Sequence, residues 1–475
     1  MAVGVRARMT QVKIGDAGSV QHCCDGSRLT PILDVPVWED IVLGALVKVV
    51  QTPDLRKKIY FTLGIIVLYR AGAHIPVPGV SYRNVQACVD SVANGPLFGL
   101  VNVFSGGALL QITVLALGIL PYITASIILQ LLTVVIPRLE SLKKEGASGQ
   151  GKITQYTRYL TVALAVLQAT GLVGTARSGV LFPGCQTANQ IVPDRSVFTA
   201  VTMVITVAAG TACVMWFGEL ITERGVGNGM SMLIFISIAS TFPGALWTVK
   251  QEGTIAGGWF AFGIVIIVGF AMVGLVVFVE QAQRRVPVQY SRRVVGRKSY
   301  GRAATYIPLK INQAGVVPVI FTSSLLYVPA LIAQFSDSRS GWATWVKANL
   351  VRGDHPFYVA AYFLLIVFFA FFYVAITFNP DEVAGNIKQA GGFIPGIRSG
   401  RATADYLGYV LNRLTWPGSL YLGLIALVPT VAFSAFGGAN MLTGTSILII
   451  VSVGLETVKQ IGSQVEQHRY KGFLQ

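Results

Sequence analysis

Three sets of residues have the types and spacing for chemistry. Gly146, Ala147, Ser148, Gly149, Gln150, Gly151 and Lys152 match most of a phosphate-binding loop, whose backbone amides and lysine would cradle a nucleotide. Ile153 follows where a hydroxyl would hold magnesium, and no buried strand precedes the loop, so a flexible basic connection is the reading. Glu219, Glu280 and Glu456 fall at the ends of apolar runs, and His22, His74, His355 and His468 form no cluster. That spacing supports neither a metal site nor histidine-based catalysis. Cys88 and Cys185 are a third candidate, as partners in a disulfide. No enzyme activity, cofactor or metal is expected from these sets.

The elements that carry these residues are membrane spans. Over 475 residues the chain is 53% hydrophobic and 12% charged, with a mean hydropathy of +0.62, too apolar for a soluble protein of this length. A bilayer core of ~30 Å needs ~20 apolar residues as helix. Ten segments qualify: 59–75, 112–136, 159–173, 197–217, 230–246, 259–279, 316–335, 357–378, 417–436 and 442–458. The expected fold is all-α.

The net charge of +16 sits mostly in short loops rather than on a soluble basic domain, which argues against ordinary nucleic-acid reading. The densest block runs from Glu280 to Gly315. It holds Arg284, Arg285, Arg292, Arg293, Arg297, Lys298, Arg302 and Lys310, with no acid after Glu280. Lys and Arg resist transfer across a bilayer, so this block marks a cytoplasmic loop. Alternate loops are basic, while the opposite ones hold Arg83, Arg177, Arg195, Lys250, Arg339, Lys347 and Arg352. Both termini are therefore expected in the cytoplasm. Cys88 and Cys185 then lie in outward loops, where an oxidising compartment permits a bridge. Cys213 reads as a small core residue.

Ten spans divide into five and five, and an odd number per half gives two halves of opposite orientation. An ion-coupled carrier usually keeps a titratable residue near mid-membrane; here the acids are at span ends, and Arg70 sits near an outer end where it can snorkel. Residues 97–111 read as a short helix and a Gly106–Gly107 hinge before the second span. Such a half-helix either lines a cavity or lies outside as an amphipathic segment.

Several motifs in order make the chain resemble the SecY family of protein-conducting channels. They are FSGGALL at 104–110, LGILPYITASIILQLL at 117–132, KEGASGQGKITQYTRY at 144–159, GELITERGVGNG at 218–229, LKINQAGVVPVIF at 309–321 and FIPGIR at 393–398. The likeness also covers 283–302 and 378–387, and extends over about 52–473. It implies a pore ring of Ile119, Ile123, Ile234, Ile320 and Ile449, a collar of branched apolar side chains able to dewet a constriction. It implies a plug over 97–107, including Leu97, Phe104, Gly106 and Gly107. Its lateral gate would open between spans two and three on one side and seven and eight on the other, with Thr124, Gln168 and Asn312 as polar residues.

The resemblance further implies docking of a motor or ribosome through Arg284, Arg285, Arg297 and Arg398. Proline often follows the last of these in the family, whereas this chain has Ser399. The implied partners are SecE, SecG, the SecA ATPase, the ribosome, secretory and membrane protein precursors, and the lipid bilayer. The expected layout is an atypical extension at 1–42, one half at 43–246 with the plug, and a second at 247–475 with the large basic loops. The polar extension, with adjacent Cys23 and Cys24, suggests an upstream start, with Val42 or Leu43 as alternatives. A solute transporter or ion channel of ten spans is the competing class; the uncharged mid-membrane and oversized basic loops favour the protein channel.

Overall fold

The computed structural model describes residues 53–92, 105–178, 191–194, 196–252, 258–290, 293–295, 298–300, 305–335, 341–350, 355–435 and 444–471. The extension at 1–42 with its alternative starts, Leu97, Phe104, Arg297 and Cys185 fall outside these residues.

Each of the ten apolar segments contributes to a helix. They lie in α1 (Pro53–Gly72), α3 (Leu120–Val135), α5 (Ala147–Ser178), α6 (Val197–Arg224), α7 (Gly229–Glu252), α8 (Gly258–Gln281), α9 (Val317–Phe335), α11 (Pro356–Thr377), α13 (Arg401–Ala435) and α14 (Gly444–Lys471). Shorter helices are α2 (Tyr82–Val92), α4 (Pro137–Lys144), α10 (Gly341–Asn349) and α12 (Pro380–Gln389). Local chemistry sets several boundaries. Pro121 opens α3 and Pro356 opens α11, where a missing N–H costs nothing. Ser196 caps α6 by accepting from the Thr199 amide. Asp194 joins that cap; hydrogen bonds from the Thr199 hydroxyl and the Ser196 backbone hold its carboxyl below the usual range. Pro137 forces Ile136 into extended backbone (φ −100°, ψ 111°), and the chain turns 100° between α3 and α4.

The apolar helices expose Val67, Phe198, Ile205, Phe270, Leu364 and Phe368 on their outer surfaces, as a lipid solvent requires. Inside are three main apolar clusters. One joins α2, the segment before α3, α5 and α6 around Val85, Leu109, Ala169 and Met203. Another joins α8, α9, α11, α13 and α14 around Val276, Ile366, Leu422 and Leu448. The third lies between, drawing on α1, α6, α7, α9 and α14. Small residues permit the closest helix approaches. At Gly210 of α6 a Cβ would fall inside the carbonyl of Val114, whereas Gly263 of α8 faces open space. Gly210→Val is expected to cost about 1–3 kcal/mol, the usual penalty for overpacking. Thermal unfolding in detergent should show a lowered Tm for it and none for Gly263→Ala.

One expectation needs correction. The second span begins at Leu120 rather than Ile112: residues 105–119 are a run of turns, while most of the short helix expected before the Gly106–Gly107 hinge lies outside the described residues. Gly106 (φ 68°), Gly107 (φ 90°), Ile112 (φ 46°) and Gly118 (φ 54°) are left-handed, which interrupts the helical ladder. Side chains take up its backbone groups: Ser105 Oγ accepts from the Leu109 amide, and Thr113 Oγ1 donates to the Ala108 carbonyl.

The mostly helical fold also carries a small sheet that the sequence reading did not foresee. β1 (Gln283–Tyr290) pairs antiparallel with β4 (Thr305–Lys310), Arg284 opposite Leu309 and Val286 opposite Ile307. Its other edge takes β5 (Gly392–Phe393), with Gln289 opposite Phe393. β2 (Arg293–Val295) and β3 (Lys298–Tyr300) form a separate ribbon. Along β1 the period of two buries Val286 and Val288 while Arg285, Pro287 and Gln289 face out. The buried face packs on Ile387, Ile394, Leu407 and Val410. The 35-residue α13 supplies the last two, since about 52 Å of helix outruns a ~30 Å hydrocarbon layer.

Candidate pore, gate and docking surface

Ile119 ends the turn segment, Ile123 follows on α3, and Ile234, Ile320 and Ile449 come from α7, α9 and α14. The structure brings all five into the central cluster. Ile119 and Ile449 are 1% exposed and Ile234 and Ile320 7%, while Ile123 is half-buried. Elements spread over more than three hundred residues thus converge on one patch of branched carbon. A cavity of about 640 Å³ ends on this patch, lined there by Ile123, Ile234, Ile320 and Ile449. Toward the sheet its wall turns polar, with Glu280, Lys310, Asn312, Glu456 and Lys459. The geometry is a cavity with a partly polar wall that ends on an apolar patch. The turn segment that leads into Ile119 is itself packed inside, with Gly106 buried and Gly107 half-buried.

The three polar gate candidates are not joined to one another by hydrogen bonds among the described residues. Thr124 Oγ1 donates within its own helix, to Leu120 O (3.1 Å) and Pro121 O (2.9 Å). Gln168 is half-buried on α5. Asn312 is buried and its Nδ2 donates to Glu280 Oε2 at 3.0 Å and Gly315 O at 3.4 Å. Glu280 is the residue that sequence reasoning missed as a partner, having placed it merely at a span end. The signal was its position: Glu280 and Asn312 flank the basic block, and pairing Gln283 with Lys310 draws them together. The Ile311 amide extends the pairing by donating to the Ala282 carbonyl at 3.0 Å. α3 meets α9 in a helix contact.

Arg284, Arg285 and Arg398 are exposed. Arg285 lies over the Tyr306 ring, 4.9 Å from its centroid. Arg398 stands on a turn shaped by left-handed Gly396 (φ 81°) and Gly400 (φ 109°), and its carbonyl accepts from Thr403 Oγ1 at 3.0 Å. Its side chain takes no part in that bond. Among the described residues the ion pairs are Lys144–Glu140, Lys152–Glu145 and Arg158–Glu219, so none engages these three arginines. β5 ties the loop that carries Arg398 to β1, the strand that carries Arg284 and Arg285.

The phosphate-loop look-alike forms the start of α5, and Lys152 is paired with Glu145 at 3.9 Å. Cys88 is fully buried and disulfide-bonded, Cys185 lies outside the described residues, and Cys213 is free.

A family model described as SecY matches residues 113–458. The protein translocase subunit SecY of Streptomyces griseus is 70% identical over 433 residues, covering 90% of this chain and 99% of that protein. Among solved structures, one of a SecY protein concerns a plug domain that stabilises the closed state and maintains a membrane seal. It aligns with a TM-score of 0.58 at 20% identity, over 85% of this chain and 91% of that one. Sec61 in the canine ribosome–channel complex aligns with a TM-score of 0.53 at 18% identity, over 85% and 91% of the two chains. At those identities the structures speak for the fold alone. The family match over most of the chain and the extent of the Streptomyces likeness together establish that this chain belongs to the SecY family.

Proposed function

We propose that the chain is the channel subunit of a protein translocase, passing unfolded secretory polypeptides across the membrane and releasing membrane spans sideways into lipid. The observation that carries this is the patch of five isoleucines at the end of a partly polar cavity. A ring of branched side chains excludes water and ions at rest, yet deforms around a chain of any sequence because it makes no directional bonds. Directional recognition would suit a solute carrier instead. Ile119, Ile123, Ile234, Ile320 and Ile449 are the pore ring in this reading. The segment reaching Gly106 and Gly107 is the plug, and the seam between α3 and α9 is part of the lateral gate.

Energy comes from outside the chain. SecA or a translating ribosome docks on the basic surface of Arg284, Arg285 and Arg398, and SecE and SecG complete the complex. The membrane is the cytoplasmic one, with both termini in the cytoplasm. The halves 43–246 and 247–475 act as a clamshell hinged between α7 and α8. In liposomes carrying the chain with its small partners, a secretory precursor is expected to become protease-protected only with SecA and ATP present. Absence of protection despite verified assembly, with uptake of a small solute, would replace this reading by that of a transporter.

A further inference from the structure

Arg70 is the one charged residue of the second half of α1, and its natural course near a membrane surface is to snorkel outward. It does not. The half-buried side chain turns inward, and Nη1 donates to the Gly106 carbonyl at 3.1 Å. The neighbouring Tyr69 is fully buried, and its hydroxyl meets Ser237 Oγ of α7 at 2.7 Å. Ser237 also faces Gly106 directly. A Cβ on Gly106 would lie 3.0 Å from Arg70 Nη1 and 3.3 Å from Ser237 Cα. Consecutive residues of α1 thus clamp both the turn segment and α7. The clamped point of α7 lies one helical turn beyond Ile234 of the isoleucine patch.

The chemistry suits a latch. A carbonyl in a left-handed glycine turn has no place in a helical ladder, so removing its donor leaves a buried acceptor unsatisfied. The guanidinium supplies a charge-assisted bond at the end of a long flexible stem, which can release and re-form without repacking a core. Gly106 is needed twice, for its positive φ and for the room that lets the arginine and α7 approach. We infer that Arg70 is the positioning residue of the sealed state. It holds the Gly106 carbonyl, and with it the turn segment that leads into Ile119 of the constriction, against α1 and α7 until an entering polypeptide breaks the bond. This deepens the channel reading proposed above and rests on it.

The test uses the assembled complex in liposomes and two readouts, resting ion efflux without substrate and translocation of a precursor whose signal sequence is defective. Arg70→Met keeps the stem and removes the donor. It is expected to raise resting efflux several-fold and to increase translocation of the defective precursor, while Arg70→Lys restores both toward wild type. If Arg70→Met fails to assemble, Gly106→Ala provides the same strain from the other partner and must give the same leak. Wild-type efflux and unchanged signal discrimination in an assembled Arg70→Met or Gly106→Ala variant would overturn the latch. If the wild-type complex itself moves no intact precursor, it is the channel reading that fails, not the latch.

Discussion

Arg398→Glu should reduce motor-driven translocation by more than about 30-fold while leaving the protein folded and inserted. The size follows from reversing a charge that a partner must desolvate, where losing one member of a buried hydrogen-bonded charge pair costs ~2–5 kcal/mol. The absence of a folding defect follows from the turn. Thr403 holds the Arg398 carbonyl rather than its guanidinium, the side chain is exposed, and Gly396 and Gly400 set the backbone. Exposed substitutions of that kind usually stay within ~0.5 kcal/mol. The initial rate of SecA-driven precursor protection, compared with the Tm of the same preparation, separates the two effects. A variant that translocates at the wild-type rate would refute the docking assignment. Arg284→Glu on the neighbouring strand is expected to act in the same direction, because β5 ties the two loops together.

The second large effect belongs to the constriction. Ile234 lies in the central apolar cluster and also lines the cavity, so a carboxylate there would border open space rather than sealed protein. Ile234→Asp is expected to wet the constriction and raise resting ion flux through reconstituted liposomes by more than tenfold. Ile234→Val, still branched and apolar, should leave the flux near wild type and cost only about 0.5–1.5 kcal/mol of stability. Equal fluxes for the aspartate variant and wild type would mean that these isoleucines are ordinary helix packing. The measurement differs from the Arg70 test in one useful way: the latch variant should also change signal discrimination, whereas a wetted ring need not.

The ten helices were legible because each needs only a local property, about twenty apolar residues between polar ends. The isoleucines that meet at the centre were legible for another reason, since the family motifs around Leu117–Leu132 and Leu309–Phe321 mark positions that composition does not distinguish. The alternation of Val286, Pro287, Val288 and Gln289 was a strand signal on the page, masked by the surrounding positive charge. The turns at 105–119 were harder, because an apolar run reads as helix until left-handed glycines interrupt it.

By itself, then, the chain's order of residues determined the class of protein, its family and the number of its spans. All of these depend on side-chain transfer energies or on contiguous motifs. Tertiary structure alone decided the pairing of Gln289 with Phe393, the bond from Asn312 to Glu280 and the inward turn of Arg70 toward Gly106. Each of these joins groups far apart in the chain, and a hydrogen bond or strand partner is chosen by which unsatisfied atom folding brings within about 3 Å, a quantity no local pattern encodes.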